Sequence, residues 1–433
     1  MKHILLVLLI STAMLIGCAP VKTQTASSSK CQCGSDCKCI AQGTTEDCLC
    51  GLYKNYLYVW TGDADKAEGD KDFLATLGTD PNKKDYGKVV STTLVGHVGT
   101  MPHHIEPTVS KNNDLFASGF MANKIYFFDM SDPANPTLKK TINEIPGWNM
   151  SHSFIRRPDG SMIATLQYKV GDKTASGGLA LFGPDGSLTT TISSGDPDFK
   201  KPIRSYGLDI APAVDRLVTS STPMAMESPS SDVVQIYRLS DLKLLHTLEV
   251  PVPQNDPSRS KHPFEVRVLP DGRSAFINSF QGAFYYLTDI DTDNPKIKLA
   301  YVFKKPNQRA SSVPAIAGKF YVIPVQKSNE IVVLDISDPG NPHEVSTLTA
   351  DKGFSPHYAS LEPGTNRIAL TGFMGSDFRV MMMRINEETG ALSWDESFRD
   401  PNTGKLGVDF ARESWPHGDS GPAAPHGIVW STL

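Results

Sequence analysis

The chain has 433 residues, 39% of them hydrophobic and 9% aromatic, with a formal net charge of −5. It can therefore bury a large core, and its mild acidity without a Lys/Arg-rich stripe excludes a nucleic-acid partner, because neutralising phosphates needs clustered positive charge. Length alone suggests two or three domains, an expectation that yields wherever internal repeats are found.

The first element is a secretory signal, with Lys2 supplying positive charge ahead of an apolar run from Ile4 to Ile16. That run is too short to span a bilayer. It ends in Leu15-Ile16-Gly17-Cys18, which resembles the lipobox of bacterial lipoproteins, where the cysteine carries acyl chains. Residues 1–17 are thus expected to be a signal peptide and Cys18 the lipidated mature N-terminus. Two or more acyl chains give stable anchoring, so the chain is expected in the bacterial cell envelope, tethered to the periplasmic or outer face of a membrane.

Residues 18–52 read as a lipidated spacer and Cys-rich segment. The Ser/Thr/Gln-rich stretch after Ala19 has the composition of a flexible linker. Three Cys-x-Cys pairs follow, Cys31 with Cys33, Cys37 with Cys39, and Cys48 with Cys50, and no cysteine occurs beyond them. Sulfurs at this spacing lie near each other, a poor geometry for disulfides within a pair and a good one for a soft cation such as Cu(I). Three disulfides between pairs remain the structural alternative in an oxidising compartment.

From residue 53 to 433 the sequence repeats. Ile125 to Asp129 with its Ser131-Asp-Pro-Ala-Asn-Pro136 turn recurs as Ile331 to Asp335 with Ser337-Asp-Pro-Gly-Asn-Pro342. The two copies are about four units of roughly fifty residues apart, a blade-like period. Weaker copies stand at Tyr56–Trp60, Leu179–Phe182, Val233–Tyr237, Ala283–Leu287 and Val380–Met383, which brings the units to seven. Turns such as Arg157-Pro-Asp-Gly160 and Pro270-Asp-Gly272 separate strands within each unit, because Pro and Gly set the turn dihedrals. The expected fold is all-β, a seven-bladed β-propeller. The terminal strand Ile428–Thr432 is expected to pair with the N-terminal strands and so remove an open sheet edge.

Five of the seven inner-strand starts carry histidine, six of the eleven histidines in all: Pro102-His103-His104, Ser151-His152, Lys261-His262, Pro356-His357 and Pro425-His426. Tyr206 and Ser311-Ser312 fill the corresponding places in the two other units. Inner strands lie around the central channel, so these positions converge, and a ring of neutral imidazoles in a channel needs hydrogen-bond partners or a cation. Imidazole suits copper, zinc, iron or nickel. Met101 and Met150 precede His103 and His152 by two residues, which puts them on the same face if the strand continues. Thioether with imidazole favours copper, while core filling is the ordinary role of Met. Glu106 and Tyr206 are candidates for orienting ligands or moving protons, with structural hydrogen bonding as the alternative.

An ordered set of segments resembles the selenium-binding protein or methanethiol oxidase family: Asp72 to Thr76, Tyr86 to Val90, His103-His104, Ile125 to Asp129, Ser151-His152, Pro263 to Arg267, Val332 to Pro339 and Gly421 to His426. The resemblance implies a periplasmic copper enzyme that oxidises methanethiol with O2 and water to formaldehyde, hydrogen sulfide and hydrogen peroxide. It further implies that His103, His104, His152 and His426 bind copper. His262 and His357 have no family counterpart and rest on hub geometry alone. The family's cysteine associated with selenium would fall near Tyr58–Thr61, where no cysteine stands.

Two other readings compete. In one the propeller is a non-catalytic copper-binding or scaffold lipoprotein, since fold does not fix function. In the other it is a lactonase-like hydrolase, which would hold Ca2+ through hub carboxylates rather than imidazoles.

Overall fold

A computed structural model describes residues 53–65, 69–225 and 228–432, together with the backbone of 40–42 and 45–47. The expected signal peptide, the lipidation site Cys18 and the cysteines 31, 33, 37, 39, 48 and 50 lie outside the described residues.

Among the described residues, seven antiparallel sheets of at least four strands form the blades, beside two short two-stranded sheets. Blade two is typical, running Pro102–Ile105, Asp114–Gly119, Lys124–Asp129 and Thr137–Ile142 from inside to outside. Its middle strands are fully or largely buried, and the outermost is half-exposed, with none of its residues fully buried. Strands buried on both faces need near-continuous apolar sequence, which Ile-Tyr-Phe-Phe supplies. Asx turns end the third strand in blades two and six: Asp129 Oδ1 accepts from Ser131 N at 2.9 Å, and Asp335 Oδ1 from Ser337 N at 2.8 Å.

Blade one draws on both ends of the chain, with Ala423–Trp430 hydrogen-bonded as inner strand to Tyr56–Asp63. Tyr56–Asp63 is accordingly a second strand, whereas the repeat pattern grouped Tyr56–Trp60 with the third strands. The third strand of blade one is Phe73–Gly78.

Among the described residues, seven apolar clusters form the core, each straddling two consecutive blades. One joins Tyr58, Trp60 and Leu74 of blade one to Leu115, Tyr126 and Phe128 of blade two. Another joins Leu57, Val59 and Phe73 of blade one to Ala369, Val380 and Met382 of blade seven. The large side chains thus pack between blades, leaving the inner ends of the strands for other chemistry. No helix among the described residues is long and apolar enough to cross a membrane.

Candidate metal centre

Every inner strand carries one residue more than its partner at the same place. Pro102 opposes Gly119 while Ile105 opposes Ala117, and Pro263 opposes Ser279 while Val266 opposes Ile277. Equivalent slips follow Ser151, Ser205, Ser311, Pro356 and Pro425. Such bulges bend a strand and re-aim its side chains. In five blades the residue just before the bulge is non-Gly in the left-handed region, namely Met101, Met150, His262, Ala310 and Ser355, with φ between 53 and 63°. The carbonyls of Met101, His262, Ala310 and Ser355 accept from the residue just past the neighbouring strand, as in Phe120 N to Met101 O at 3.3 Å and Phe373 N to Ser355 O at 3.0 Å. Sparsely populated backbone of this kind persists where surrounding structure enforces it, commonly at functional sites.

The residue two places after this position is His103, His152, Tyr206, Phe264, Ser312, His357 or His426 in blades two to seven and one respectively. These side chains form a ring. Centroid separations are 4.2 Å for His426 and His103, 4.7 Å for His103 and His152, and 4.7 Å for His357 and His426. Tyr206 packs in a tilted arrangement against His152 at 3.8 Å and against Phe264 at 4.3 Å. His104, one residue further along blade two, packs against His152 at 4.1 Å and His103 at 5.1 Å. One ligand atom each of His103, His104 and His152 can lie within 4.8 Å of the others.

Burial and hydrogen bonding make this group chemically distinctive. His103, His104, His152, His357 and His426 are all buried. Ser153 Oγ bridges His152 Nδ1 at 2.8 Å and His104 Nδ1 at 3.1 Å, while His426 Nδ1 donates to the His103 carbonyl at 2.8 Å. Gly427 permits that approach, since a Cβ there would sit 2.7 Å from the same carbonyl oxygen. The Nε2 atoms of His104, His152 and His426 are left buried without a partner, as are both ring nitrogens of His103 and His357. Orphaned buried polar atoms are costly, and a row of them facing each other fits a cation. Burial, reinforced by neighbouring histidines, pushes the His103, His104 and His357 imidazoles well below their ordinary range. Burial and His426 do the same to His152, and burial drives His426 itself down to about 3. Neutral imidazole is the form that binds metal.

The layers above and below the ring differ. On one side Phe120 lies 5.4 Å from His103, and Phe373 lies 4.6 Å from His426 and 5.0 Å from His357. Phe120 also borders an apolar cavity of about 630 Å3 shared with Met101, Met121, Met150, Tyr168 and Met224. A second cavity, about 220 Å3, is lined by His104, Ser153, Asp209, Glu265, Arg267 and Tyr358.

The structure thus brings His103, His104, His152, His357 and His426 together and sets His262 apart. His262 occupies the left-handed position equivalent to Met101 and Met150, because Pro263, not His262, is the counterpart of Pro102. Phe264 takes its place in the ring. Met101, just before its strand, and Met150, inside the strand Trp148–Arg156, likewise do not share a strand face with His103 and His152, since their positive φ breaks the two-residue alternation. Glu106 is held by Arg156 through contacts of 2.6 and 2.9 Å and accepts from Phe116 N, so its role is to tie blade two to blade three. Ser153, Glu265, Arg267, Phe120 and Phe373 were not among the sequence candidates. The proline at the strand start was the signal: aligning Pro263 with Pro102 sets Glu265 level with His104.

Residues 309–350 match the LVIVD repeat family. The chain is 34% identical over 177 residues to a methanethiol oxidase of Hyphomicrobium sp, covering 39% of this chain and 38% of that relative. It is 29% identical over 143 residues to a methanethiol oxidase of Ruegeria pomeroyi, covering 32% of each. The matches therefore span well under half the length of either relative. Among solved structures, a hypothetical selenium-binding protein from Sulfolobus tokodaii superposes with a TM-score of 0.71 at 17% identity, over 88% of this chain and 94% of that one. A periplasmic gluconolactonase from Pseudomonas aeruginosa superposes with a TM-score of 0.61 at 12% identity, over 87% and 99%. At such identities the structural likeness speaks for the fold alone. The named oxidases and the selenium-binding protein fit the family that the sequence resembles.

Proposed function

We propose that this protein is a copper-dependent oxidase of a small thiol, converting methanethiol, O2 and water to formaldehyde, hydrogen sulfide and hydrogen peroxide. The observation that carries the reading is the set of buried, neutral, unpartnered imidazole nitrogens at the hub. The partial match to methanethiol oxidases supports the choice of substrate class. A lactonase reading finds no comparable support at the ring, whose polar members are imidazoles, a phenol and a hydroxyl rather than carboxylates.

His103, His104, His152 and His426 would hold the metal, with His357 beside His426. Copper bound there would supply a soft centre that favours thiolate over thiol and accepts electrons bound for O2. Ser153 and the His103 carbonyl fix the rings by engaging Nδ1, which leaves Nε2 free. Phe120 and Phe373 keep bulk water from the imidazoles and present an apolar approach to a small organosulfur substrate. The purified mature protein should contain copper by elemental analysis and yield the three products in equal amounts. Copper without thiol consumption would mean a non-catalytic copper-binding propeller, and absence of copper would end the assignment.

We also propose export and lipidation at Cys18, with the head cysteines acting as a Cu(I) store for the hub and the chain ends joined in blade one closing the ring. Cys18→Ala should move the protein from the washed membrane fraction to the soluble one, since the acyl chains provide the attachment. Retention in the membrane refutes the anchor.

A further inference from the structure

Glu265 occupies in blade five the position that His104 occupies in blade two, immediately after the ring residue of its strand. The two side chains meet across the central channel, and both are buried, with Glu265 3% exposed. Glu265 Oε1 and His104 Nε2 stand 3.9 Å apart, and neither has a hydrogen-bond partner. That gap is too long for a hydrogen bond. It is slightly less than twice a metal–ligand bond of about 2.0–2.1 Å to nitrogen or oxygen, so one ion can touch both atoms without either moving far.

The orientation of each group is fixed from behind. Arg267 Nη1 donates to the other carboxylate oxygen, Glu265 Oε2, at 2.9 Å and to the Val266 carbonyl at 2.8 Å. Arg267 Nη2 reaches the Pro314 carbonyl at 3.2 Å, which anchors the guanidinium to the next blade. On the opposite side Ser153 holds His104 Nδ1 at 3.1 Å. Supports of this kind orient metal ligands, and here both point their free atom into one space.

We propose that Glu265 is an oxygen ligand of the hub metal, completing with its Oε1 the imidazole set that includes His104 Nε2. This deepens the copper reading above and rests on it. The chemical consequence is a preference between copper states. Imidazole and thioether environments accommodate Cu(I), whereas an added anionic oxygen favours the divalent ion. Glu265 would therefore stabilise the oxidised metal against the reduced one, with Arg267 tempering the donor strength of its carboxylate.

The test uses the chain with its six head cysteines changed to Ser, so that only the hub is read, stripped of metal and titrated with Cu(II) or Cu(I) against competing chelators. Glu265→Gln keeps the shape and an acceptor for Arg267 but removes the charge. Its Cu(II) affinity should fall by at least about tenfold, as loss of a supporting or ligating group does. Its Cu(I) affinity should change far less, and the Cu(II) paramagnetic resonance spectrum should differ from that of the parent. Equal Cu(II) affinity with an unchanged spectrum overturns the proposal while leaving the histidine site intact. A parent chain that binds no copper overturns the copper reading and this inference together. Should the variant not fold, the infrared difference spectrum of the parent at one equivalent of Cu(II) decides the matter. A shifted carboxylate band supports ligation, and unmoved carboxylate bands reject it.

Discussion

The hub ring divides into two arcs built on one backbone. Blades seven, one, two and three present His357, His426, His103 and His152, while blades four, five and six present Tyr206, Phe264 and Ser312 from the same bulged position. The comparison separates what the fold provides from what the side chain provides. The bulge aims seven residues at the axis, and only the occupants decide whether that place is nitrogen-rich or apolar. The second arc nevertheless acts on the first. Tyr206 and Phe264 pack in series against His152 and take water away from it, and burial is the first cause of its low imidazole value.

The largest effect should come from erasing the contrast between the arcs. Replacing His103, His152 and His426 together by Ala removes three of the four imidazoles proposed as ligands. With the six head cysteines also changed to Ser, so that only hub copper is read, copper should fall to background by elemental analysis, with thiol oxidation lost alongside it. The apo protein should still fold, because the inter-blade clusters do not include these residues. A triple variant that keeps full copper would falsify the hub assignment.

Much of this arrangement is legible in the sequence, and the part that is not has a definite cause. The repeat of Ile-Tyr-Phe-Phe-Asp and its Ser-Asp-Pro turn exposes the blade period, since a strand buried on both faces must be apolar throughout. His103, His152, His357 and His426 follow from their places at strand starts. The extra residue in each inner strand is hidden, because a bulge changes register without requiring Gly, and Met, His, Ala and Ser all adopt the left-handed position here. The histidine of blade five misleads for another reason: it stands one residue before the strand-start proline, where His103 stands one residue after it, so the ring position falls two residues on, at Phe264. A partner set by tertiary contact, such as Ser153 between two imidazoles, leaves no pattern in one sequence at all.

A smaller effect should follow from loosening the histidine arc without removing a ligand. Ser153→Ala deletes the hydroxyl that reaches His104 and His152, while Ser153 N keeps its bond to Thr165 Oγ1 at 3.0 Å. Ligand rings freed in this way typically cost about 10–100-fold in metal affinity. Chelator competition on the variant should read a loss in that range with copper stoichiometry unchanged. Unaltered affinity would mean that packing alone fixes the two rings.

The smallest effect should belong to His262, and its smallness is the sharpest check on the register that separates the arcs. His262 sits before its bulge at φ 63°. Its amide donates to Asp232 Oδ1 at 2.8 Å, and its carbonyl accepts from Phe280 N at 2.8 Å. Both are main-chain contacts that survive any side-chain change. His262→Gly should relieve the left-handed conformation, which Gly adopts freely, and lose a comparable amount through the greater freedom of the unfolded chain. The net change in stability should stay within about 1 kcal/mol by denaturant titration. Copper content and affinity should match the parent, because the imidazole lost is not one of those around the axis. If His262→Gly instead sheds copper as a ring-histidine variant does, then blade five enters the ring two residues earlier than the pairing of Pro263 with Ser279 indicates, and Phe264 loses its place as the apolar member opposite the histidines.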